Sequence, residues 1–270
     1  MSTADRQWGG DAGVVTAPAK LTRSLRVVGR RSDGYHLLEA EMITVSLVDE
    51  LEIGPGGGLD VVDEVDWIGA AARVPHGPGP NLVELALRAV GRSASVRLRK
   101  RIPAGAGLGG GSADAAAVLR WGGCSDVSVA ASLGADVPFC LSGGRALVSG
   151  VGEVVEPLAF EETDLLLVVP RLHISTPSVY AAWDSIGGPA GELENDLEPA
   201  ALAVEPRLEW WRDLVSATAG RRPRLAGSGG TWWLEGGRDE LADVQLRMTA
   251  AISTAGESAL VKLVSTVPAS

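Results

Sequence analysis

The feature that most constrains the fold is a glycine-rich loop, PAGAGLGGGSADA at residues 103–115, which contains five glycines. Apolar and basic residues alternate before it, at 94–102, and alanine and leucine dominate after it, at 113–121, which predicts a strand, the loop and then a helix. Glycines leave room for backbone N–H groups to turn around a phosphate, and the positive end of the following helix faces the same anion. The loop therefore predicts a triphosphate-binding site.

Three other interpretations of the loop fit less well. A flexible linker rarely opens directly into an alanine-rich helix. Gly105, Gly107 and Gly110 have the G-x-G-x-x-G spacing of a dinucleotide-binding turn, but no acidic ribose ligand ends a second strand about 20 residues further on. A Walker loop requires Gly-Lys-Ser/Thr, which the sequence lacks.

Composition limits the remaining classes of protein. The chain has 270 residues, 46% hydrophobic and 21% charged, enough for one large or two modest globular domains. A net charge of -10 argues against a nucleic-acid partner, and no apolar run approaches the ~20 residues of a membrane span. Cys124 and Cys140 are too few for a disulfide framework, and residues 1–16 lack the regions of a signal peptide. We expect a cytoplasmic protein with no nucleic-acid or membrane partner.

The pattern of apolar residues predicts alternating strands and helices on both sides of the loop. The continuous apolar run at 165–169 is typical of a buried central strand, and a domain boundary is expected shortly before it. Asn81 is a plausible helix N-cap. Strands are predicted at 14–30, 37–53, 59–65, 94–102, 165–169, 231–234 and 259–264, and helices at 82–90, 113–121, 127–133, 206–218 and 239–251.

Six motifs, in the same order along the chain, resemble the GHMP kinases, the superfamily of galactokinase, homoserine kinase and mevalonate kinase. Pro-Ala-Lys followed by Asp-Gly-Tyr-His is specific, within it, to the branch that acts on cytidylylated methylerythritol in the non-mevalonate isoprenoid pathway. The motifs are APAKL at 17–21, GRRSDGYH at 29–36, the glycine loop, LGADVPF at 133–139, NDLE at 195–198 and LAGSGGT at 225–231.

This resemblance implies a two-domain α+β GHMP kinase fold. Residues 1–155 would form a ribosomal protein S5 domain 2-like domain that carries the ATP-binding loop, and residues 156–270 a ferredoxin-like domain. The implied activity is ATP- and Mg²⁺-dependent phosphorylation of the 2-hydroxyl of the cytidylylated substrate, by a monomer or homodimer. Another GHMP small-molecule kinase and a catalytically idle nucleotide-binding paralogue are the alternatives.

The resemblance also implies two catalytic residues. Asp136 matches the family's catalytic aspartate, the general base toward the acceptor hydroxyl. Lys20 matches the catalytic lysine, whose charge would keep that carboxylate ionised and stabilise the transferring phosphoryl group. On residue type alone, Asp136 could equally cap a helix and Lys20 could be a solvated strand residue.

For ATP, the resemblance implies contacts from the whole loop and from two positions near the adenine pocket. Ser112, at the start of the predicted helix, would offer a hydroxyl to Mg²⁺, an ion that keeps several waters and binds mainly the nucleotide phosphates. The implied ATP contacts are Pro103, Ala104, Gly105, Ala106, Gly107, Leu108, Gly109, Gly110, Gly111, Ser112, Ala113, Lys100 and Asn81.

For the acceptor, the resemblance implies contacts from both domains. Tyr35 would stack on the pyrimidine, His36 would hydrogen-bond its edge, and Tyr180 would cover it from the other domain. Thr22 and Thr176 are the further substrate-binding positions. A structural hydrogen bond is the ordinary role of a lone histidine, and Tyr180 could be a helix core residue.

Three departures from the family stand out in the sequence. Position 22 carries threonine where the family usually has asparagine, so a shorter hydroxyl replaces an amide. The segment 120–132 is several residues shorter than usual. Trp232 and Trp233 are bulkier than usual, although a strand can bury consecutive side chains on its two faces.

Overall fold

A computed structural model describes residues 12–69, 81–188 and 194–269, which form ten strands and eight helices. The strands are β1 (Gly13–Arg30), β2 (His36–Gly54), β3 (Gly58–Asp63), β4 (Ser95–Lys100), β5 (Arg145–Gly150), β6 (Val154–Pro157), β7 (Asp164–Pro170), β8 (Arg224–Leu225), β9 (Trp232–Gly236) and β10 (Ala259–Ser265). The helices are α1 (Leu82–Ala89), α2 (Gly110–Trp121), α3 (Val127–Leu133), α4 (Val137–Ser142), α5 (Thr176–Ser185), α6 (Glu198–Val204), α7 (Arg207–Ala219) and α8 (Arg238–Ala255).

The first sheet is built around the long strand β2. One edge of β2 pairs with β1, and its other edge pairs with β5 near the start and with β4 near the end. Strand β3 pairs with β4 in parallel orientation, and β6 pairs with β5 in antiparallel orientation. Helices α1 to α4 contribute buried residues to the core that covers this sheet, among them a run of alanines and apolar residues in α2. Close packing of α2 on β1 thus brings the glycine loop beside the first strand.

The second sheet has the order β10-β7-β9-β8, with every pair antiparallel. Numbered from β7, this is the order 4-1-3-2 of a chain that runs strand, helices, two strands, helix and strand, which is a ferredoxin-like arrangement. The predicted α+β class and the predicted ferredoxin-like C-terminal unit are therefore confirmed. Strand β6 extends to Pro157, so the predicted boundary between residues 155 and 156 falls inside it and stays a prediction.

An apolar layer joins the two sheets. Ala19, Leu21 and Ile43 from β1 and β2 share one buried cluster with Leu167 of β7 and Trp233 of β9. Because side chains alternate along a strand, Trp232 points the other way, into the core that contains α7 and α8. Both indoles are almost completely buried, as the alternation predicts. The second sheet is therefore packed on both faces, and an apolar interface joins the two units.

An ionic cluster closes one end of this interface. The guanidinium of Arg23 in β1 donates to Glu41 at 3.0 Å, to Glu161 at 2.9 Å and to Glu235 of β9 at 2.9 Å. Arg145 of β5 shares two of these partners, Glu41 and Glu161. Burial lowers the pKa of Arg23, but hydrogen bonds and charges from the three carboxylates outweigh burial and raise it. The cluster ties both sheets and their connecting segment together.

Six elements were not among the predicted ones: α4, α5, α6, β5, β6 and β8. They are short, between two and ten residues, so their periodicity extends over too few residues to distinguish them from loops. The α2 helix begins three residues earlier than predicted, because its first turn is formed by Gly110, Gly111 and Ser112.

We expect Trp233→Ala to destabilise the fold by about 3–5 kcal/mol, since it would open a large cavity between the sheets. Trp210→Ala, which removes an indole that is 43% exposed on α7, is the matched control and should cost far less. Chemical denaturation of both variants measures the difference. Equal losses would contradict the packed interface.

Candidate active site

The glycine loop presents free backbone donors at the start of α2. Gly105, Gly107 and Gly109 have φ of 74°, 79° and 66°, in the left-handed region that favours glycine. Gly109 is the N-cap of α2 and supplies no side-chain cap. The first bond of the helix runs from Ala113 N to Gly109 O, which leaves the N–H groups of residues 110–112 without intrahelical partners. These groups and the helix dipole can bind an anion.

A cavity of about 740 Å³ lies against the loop. The predicted ATP contacts line it, from Pro103 to Ser112 together with Lys100 and Asn81, whereas Ala113 is fully buried behind them. Asn81 also caps α1: its side chain accepts from Val83 N at 2.9 Å, and Glu84 accepts from its backbone N–H. The volume lies within the roughly 300–1,000 Å³ range of small-molecule pockets.

One wall of the cavity was missed from the sequence. It consists of alternate residues along β3 and the segment that follows, namely Leu59, Val61, Asp63, Val65 and Trp67. Their spacing of two is the pattern of one face of a strand, and it is visible in the sequence beyond the end of the predicted strand. This mainly apolar wall offers a surface for a flat aromatic base.

Lys100 is held by two acidic residues. Its ammonium donates to Asp114 Oδ2 at 2.6 Å and to Asp49, and both carboxylates are almost completely buried. Burial lowers the pKa of Lys100, but the charges of Asp114 and Asp49 outweigh it and raise that pKa. Burial, with the nearby charge of Asp49, raises the pKa of Asp114 to about 7 despite the ammonium. The positive charge of Lys100 is therefore compensated within the protein.

A second glycine turn, residues 227–230, presses against the first. A Cβ on Gly107 would lie 2.8 Å from Gly229 Cα, so the two backbones meet at a distance that only glycines permit. Thr231 donates its hydroxyl to Ala106 O at 2.7 Å. From the NDLE motif, Asn195 Nδ2 donates to Gly227 O at 2.7 Å. The C-terminal unit thus directly supports the glycine loop of residues 103–115, the candidate phosphate loop.

Lys20 and Asp136 form the ion pair of the site. Lys20 Nζ lies 3.2 Å from Asp136 Oδ2, and the lysine is buried in β1 while the carboxylate is about one-third exposed. The methylene stem of Lys20 packs against Gly109, where a Cβ would come within 2.6 Å of Lys20 Cγ. Lys20 is therefore not a solvated strand residue. The pair lies directly beside the phosphate loop.

Asp136 occupies the N-cap position of α4 but makes no side-chain capping bond. Its carboxylate is instead turned to Lys20. Burial raises the pKa of the Cys140 thiol and of the Tyr180 hydroxyl, and the charge of Asp136 raises both further. These effects place a thiol from α4 and a hydroxyl from α5 in the field of the same carboxylate.

Thr22 and Thr176 bring hydroxyls to the same region. Thr22 Oγ1 accepts from Lys20 Nζ at 3.3 Å and lies 3.5 Å from the position of a Cβ on Gly227. Thr176 Oγ1 lies 2.9 Å from the hydroxyl of Ser228 in the second glycine turn. Thr22 is thus enclosed between the lysine and that turn, where the smaller hydroxyl fits.

The His36 side chain packs against α5. Its ring stacks on Tyr180 with centroids 4.7 Å apart and planes 18° apart, and Trp183 meets it edge-on at 5.5 Å. His36 Nε2 hydrogen-bonds Asp184 Oδ1 at 2.8 Å. Tyr35 is 66% exposed. The structure therefore brings His36 and Tyr180 together and leaves Tyr35 exposed, and it reveals Trp183 and Asp184, which were not predicted.

The possible magnesium ligands are few. Ser112 lines the cavity at the third residue of α2. Within the described ranges, no three His, Cys, Asp or Glu side chains gather into a cluster that could hold a metal ion. The residues present fit an ion that arrives with phosphates and waters and takes at most one or two ligands from the protein.

The phosphate loop, the ion pair and the ferredoxin-like unit together define a GHMP-type small-molecule kinase. Residues 81–144 match the family described as GHMP kinases N terminal domain. A solved mevalonate kinase from Methanococcus jannaschii has the same fold, with a TM-score of 0.58, 11% identity, and coverage of 96% of this chain and 99% of that one.

The chain belongs to the 4-diphosphocytidyl-2-C-methyl-D-erythritol kinase family. A relative from Paramagnetospirillum magneticum with that name is 38% identical over 80% of this chain and 86% of its own length. Another, from Paracoccus denitrificans, is 37% identical over 80% and 84%. A crystal structure of a 4-(cytidine 5'-diphospho)-2C-methyl-D-erythritol kinase, 32% identical, superposes with a TM-score of 0.71 and covers 94% of this chain and 99% of that one.

We expect Gly229→Ala to weaken ATP binding roughly tenfold or more, because the new Cβ would lie 2.6 Å from Ala106 O and push the phosphate loop out of place. Gly237→Ala is the matched control: that glycine also has negative φ, and a Cβ there meets nothing within 4 Å. Calorimetric titration with a non-hydrolysable ATP analogue measures both. Unchanged affinity in Gly229→Ala would contradict the role of the contact.

Proposed function

We propose that this protein transfers the γ-phosphoryl group of ATP to the 2-hydroxyl of 4-diphosphocytidyl-2-C-methyl-D-erythritol. The observation that carries the proposal is the ion pair of Lys20 and Asp136, which lies beside the open N-terminus of α2 and at the junction of the two units. A direct test is phosphate transfer from ATP to the cytidylylated acceptor by the purified protein. Absence of transfer would overturn the proposal.

In the proposed mechanism, Asp136 is the general base. Its partly exposed carboxylate can reach an acceptor hydroxyl, and the ammonium of Lys20, 3.2 Å away, orients it for proton transfer. The attacking oxygen then meets a phosphorus that reacts through a loose transition state, so positioning and charge stabilisation matter most. Lys20, next to the loop, offsets charge on the transferring group.

The N–H groups of the loop would hold the phosphates of ATP. Gly110, Gly111 and Ser112 line the cavity at the start of α2, and the contact between Gly107 and Gly229 fixes the loop's shape. A magnesium ion bound to the nucleotide would neutralise phosphate charge, and the Ser112 hydroxyl would be its protein ligand. The apolar wall that ends at Trp67 would carry the adenine.

The pyrimidine end of the acceptor would bind at the aromatic group on α5. Tyr180 offers a ring for stacking, and His36 offers a polar edge next to it. Tyr35, exposed at the end of the preceding turn, is free to close over the base from the other side. Thr176 begins the helix that carries Tyr180, and Thr22 contacts Lys20, so both hydroxyls would be available to the rest of the acceptor.

The same reasoning bears on the alternatives. A catalytically idle paralogue would have no need to hold Lys20 and Asp136 at 3.2 Å beside a formed phosphate loop. We propose that the protein acts in the cytoplasm as a monomer or homodimer, without a nucleic-acid or membrane partner. The net charge of -10 and the two free cysteines support this setting. No helix in the described ranges is long and apolar enough to cross a membrane.

We expect Asp136→Asn and Lys20→Met each to lower kcat by about 10²–10⁴, since both groups act in the transition state. Methionine keeps the stem that packs on Gly109, so ATP affinity should change little. The matched control is Lys262→Met, at an exposed lysine of β10. Steady-state kinetics and calorimetry check both quantities. Near-normal kcat in either site variant would refute the assigned roles.

We expect Tyr180→Ala to lower kcat/KM roughly tenfold to a hundredfold, because stacking on one aromatic ring contributes about 1–3 kcal/mol. Tyr180→Phe keeps the ring and is the control, which should stay close to the original rate. Kinetics are measured with the cytidylylated acceptor and with nucleotide-free methylerythritol phosphate. The comparison separates the loss of base stacking from an effect on the transfer step itself. A loss in Tyr180→Phe equal to that in Tyr180→Ala would show that the hydroxyl, not the stack, is required.

A further inference from the structure

The histidine of the proposed pyrimidine site is oriented by residues of the opposite unit. His36 begins β2, in the N-terminal sheet, while its three side-chain partners among the described residues lie on α5. Tyr180, Trp183 and Asp184 are spaced i, i+3 and i+4, so one face of this helix holds the ring by a stack, an edge contact and a hydrogen bond. The His36 side chain is only 9% exposed.

The bond to Asp184 determines which ring nitrogen carries the proton. Nε2 lies 2.8 Å from Asp184 Oδ1, and an ionised carboxylate can only accept. The hydrogen bond from His36 lowers the pKa of Asp184, and the charge of Arg30, 3.4 Å away, lowers it further. Nε2 must therefore be the donor, and in the neutral ring Nδ1 is left as an acceptor. Nδ1 has no hydrogen-bond partner among the described residues.

From this geometry we propose that Asp184 is a positioning residue that makes His36 select cytosine over uracil. An acceptor at Nδ1 matches the exocyclic amine of cytosine, which is a donor, and opposes the carbonyl at the same position in uracil. The inference rests on the proposed function and specifies how its acceptor is chosen.

The stacking geometry is compatible with this contact. The lone pair of Nδ1 lies in the plane of the imidazole ring, so the N–H of a base that donates to it lies close to that plane. Because that plane is within 18° of the Tyr180 ring, a base coplanar with the imidazole would lie nearly parallel to Tyr180 and beside His36. The base therefore need not displace His36 from its stack, and the exposed Tyr35 can cover it.

The experiment compares Asp184→Asn with the original protein on two acceptors, the cytidine compound and its uridine analogue. An asparagine amide can donate as well as accept, so the histidine is no longer held in one tautomer. We expect the original protein to prefer cytidine by roughly tenfold to a hundredfold in kcat/KM, the range for leaving a buried polar group unpaired. In Asp184→Asn this ratio should fall at least several-fold. Asp243→Asn, on the exposed face of α8, makes the same charge change as a control.

A second measurement is made on the original protein and does not depend on Asp184→Asn. Nitrogen-15 NMR of the three histidines, with His36→Asn to assign the signal, reports the tautomer of His36 directly. Protonation at Nε2 with a free Nδ1 supports the inference, and protonation at Nδ1 alone overturns it. An equal loss of activity on both acceptors in Asp184→Asn, with the ratio unchanged, also overturns it. If the original protein phosphorylates neither acceptor, the proposed function itself fails, and this inference fails with it.

Discussion

The contact between the two glycine turns is the constraint on which the site depends. Gly107 and Gly229 meet backbone to backbone, at a distance at which a Cβ on either would overlap the other. This contact brings the C-terminal unit against the phosphate loop, and Thr231 and Asn195 fix it with buried hydrogen bonds. Because buried backbone polar groups must be hydrogen-bonded, the two bonds and the close contact together fix the position of the second glycine turn against the loop.

Strand β1 connects this contact to the chemistry. Lys20 and Thr22 lie on one face of the strand, toward the site, while Ala19 and Leu21 lie on the other, in the apolar layer between the sheets. Its backbone also reaches the phosphate loop, since Lys20 N donates to Leu108 O at 3.0 Å. The position of the Lys20 ammonium is thus set by the packing of the two units and not by the ion pair alone.

The NDLE motif explains why residues far from the loop matter to it. Asp196 accepts from the backbone N–H of Val27 at 2.9 Å and from Arg26 at 2.8 Å, both in β1. The neighbouring Asn195 holds the second glycine turn. Two adjacent side chains therefore join the strand that carries Lys20 to the turn that supports the loop.

Much of this arrangement could be predicted from the sequence, and the missing parts have physical reasons. The long strands and the loop have strong local patterns, because glycine content and alternation reflect local backbone geometry. The pairing of Lys20 with Asp136 depends on residues 116 positions apart, which no local pattern encodes, and only the family resemblance indicated it. Asp184 lies in a ten-residue helix of weak periodicity, so neither pattern nor motif identified it.

The charges of the site show how an acidic protein can hold a polyphosphate. Of the three lysines, Lys100 is compensated by Asp49 and Asp114, and Lys20 by Asp136, so neither adds net positive charge to its immediate surroundings. What remains at the loop is a set of backbone N–H groups at the end of α2. A backbone N–H group binds a phosphate oxygen only when the oxygen lies close to it and along the N–H direction. These donors therefore do not attract anions in general, as a net positive charge would. In the proposed mechanism, proton transfer to Asp136 would neutralise the partner of Lys20. The ammonium of Lys20 would then be available to stabilise the transferring phosphoryl group.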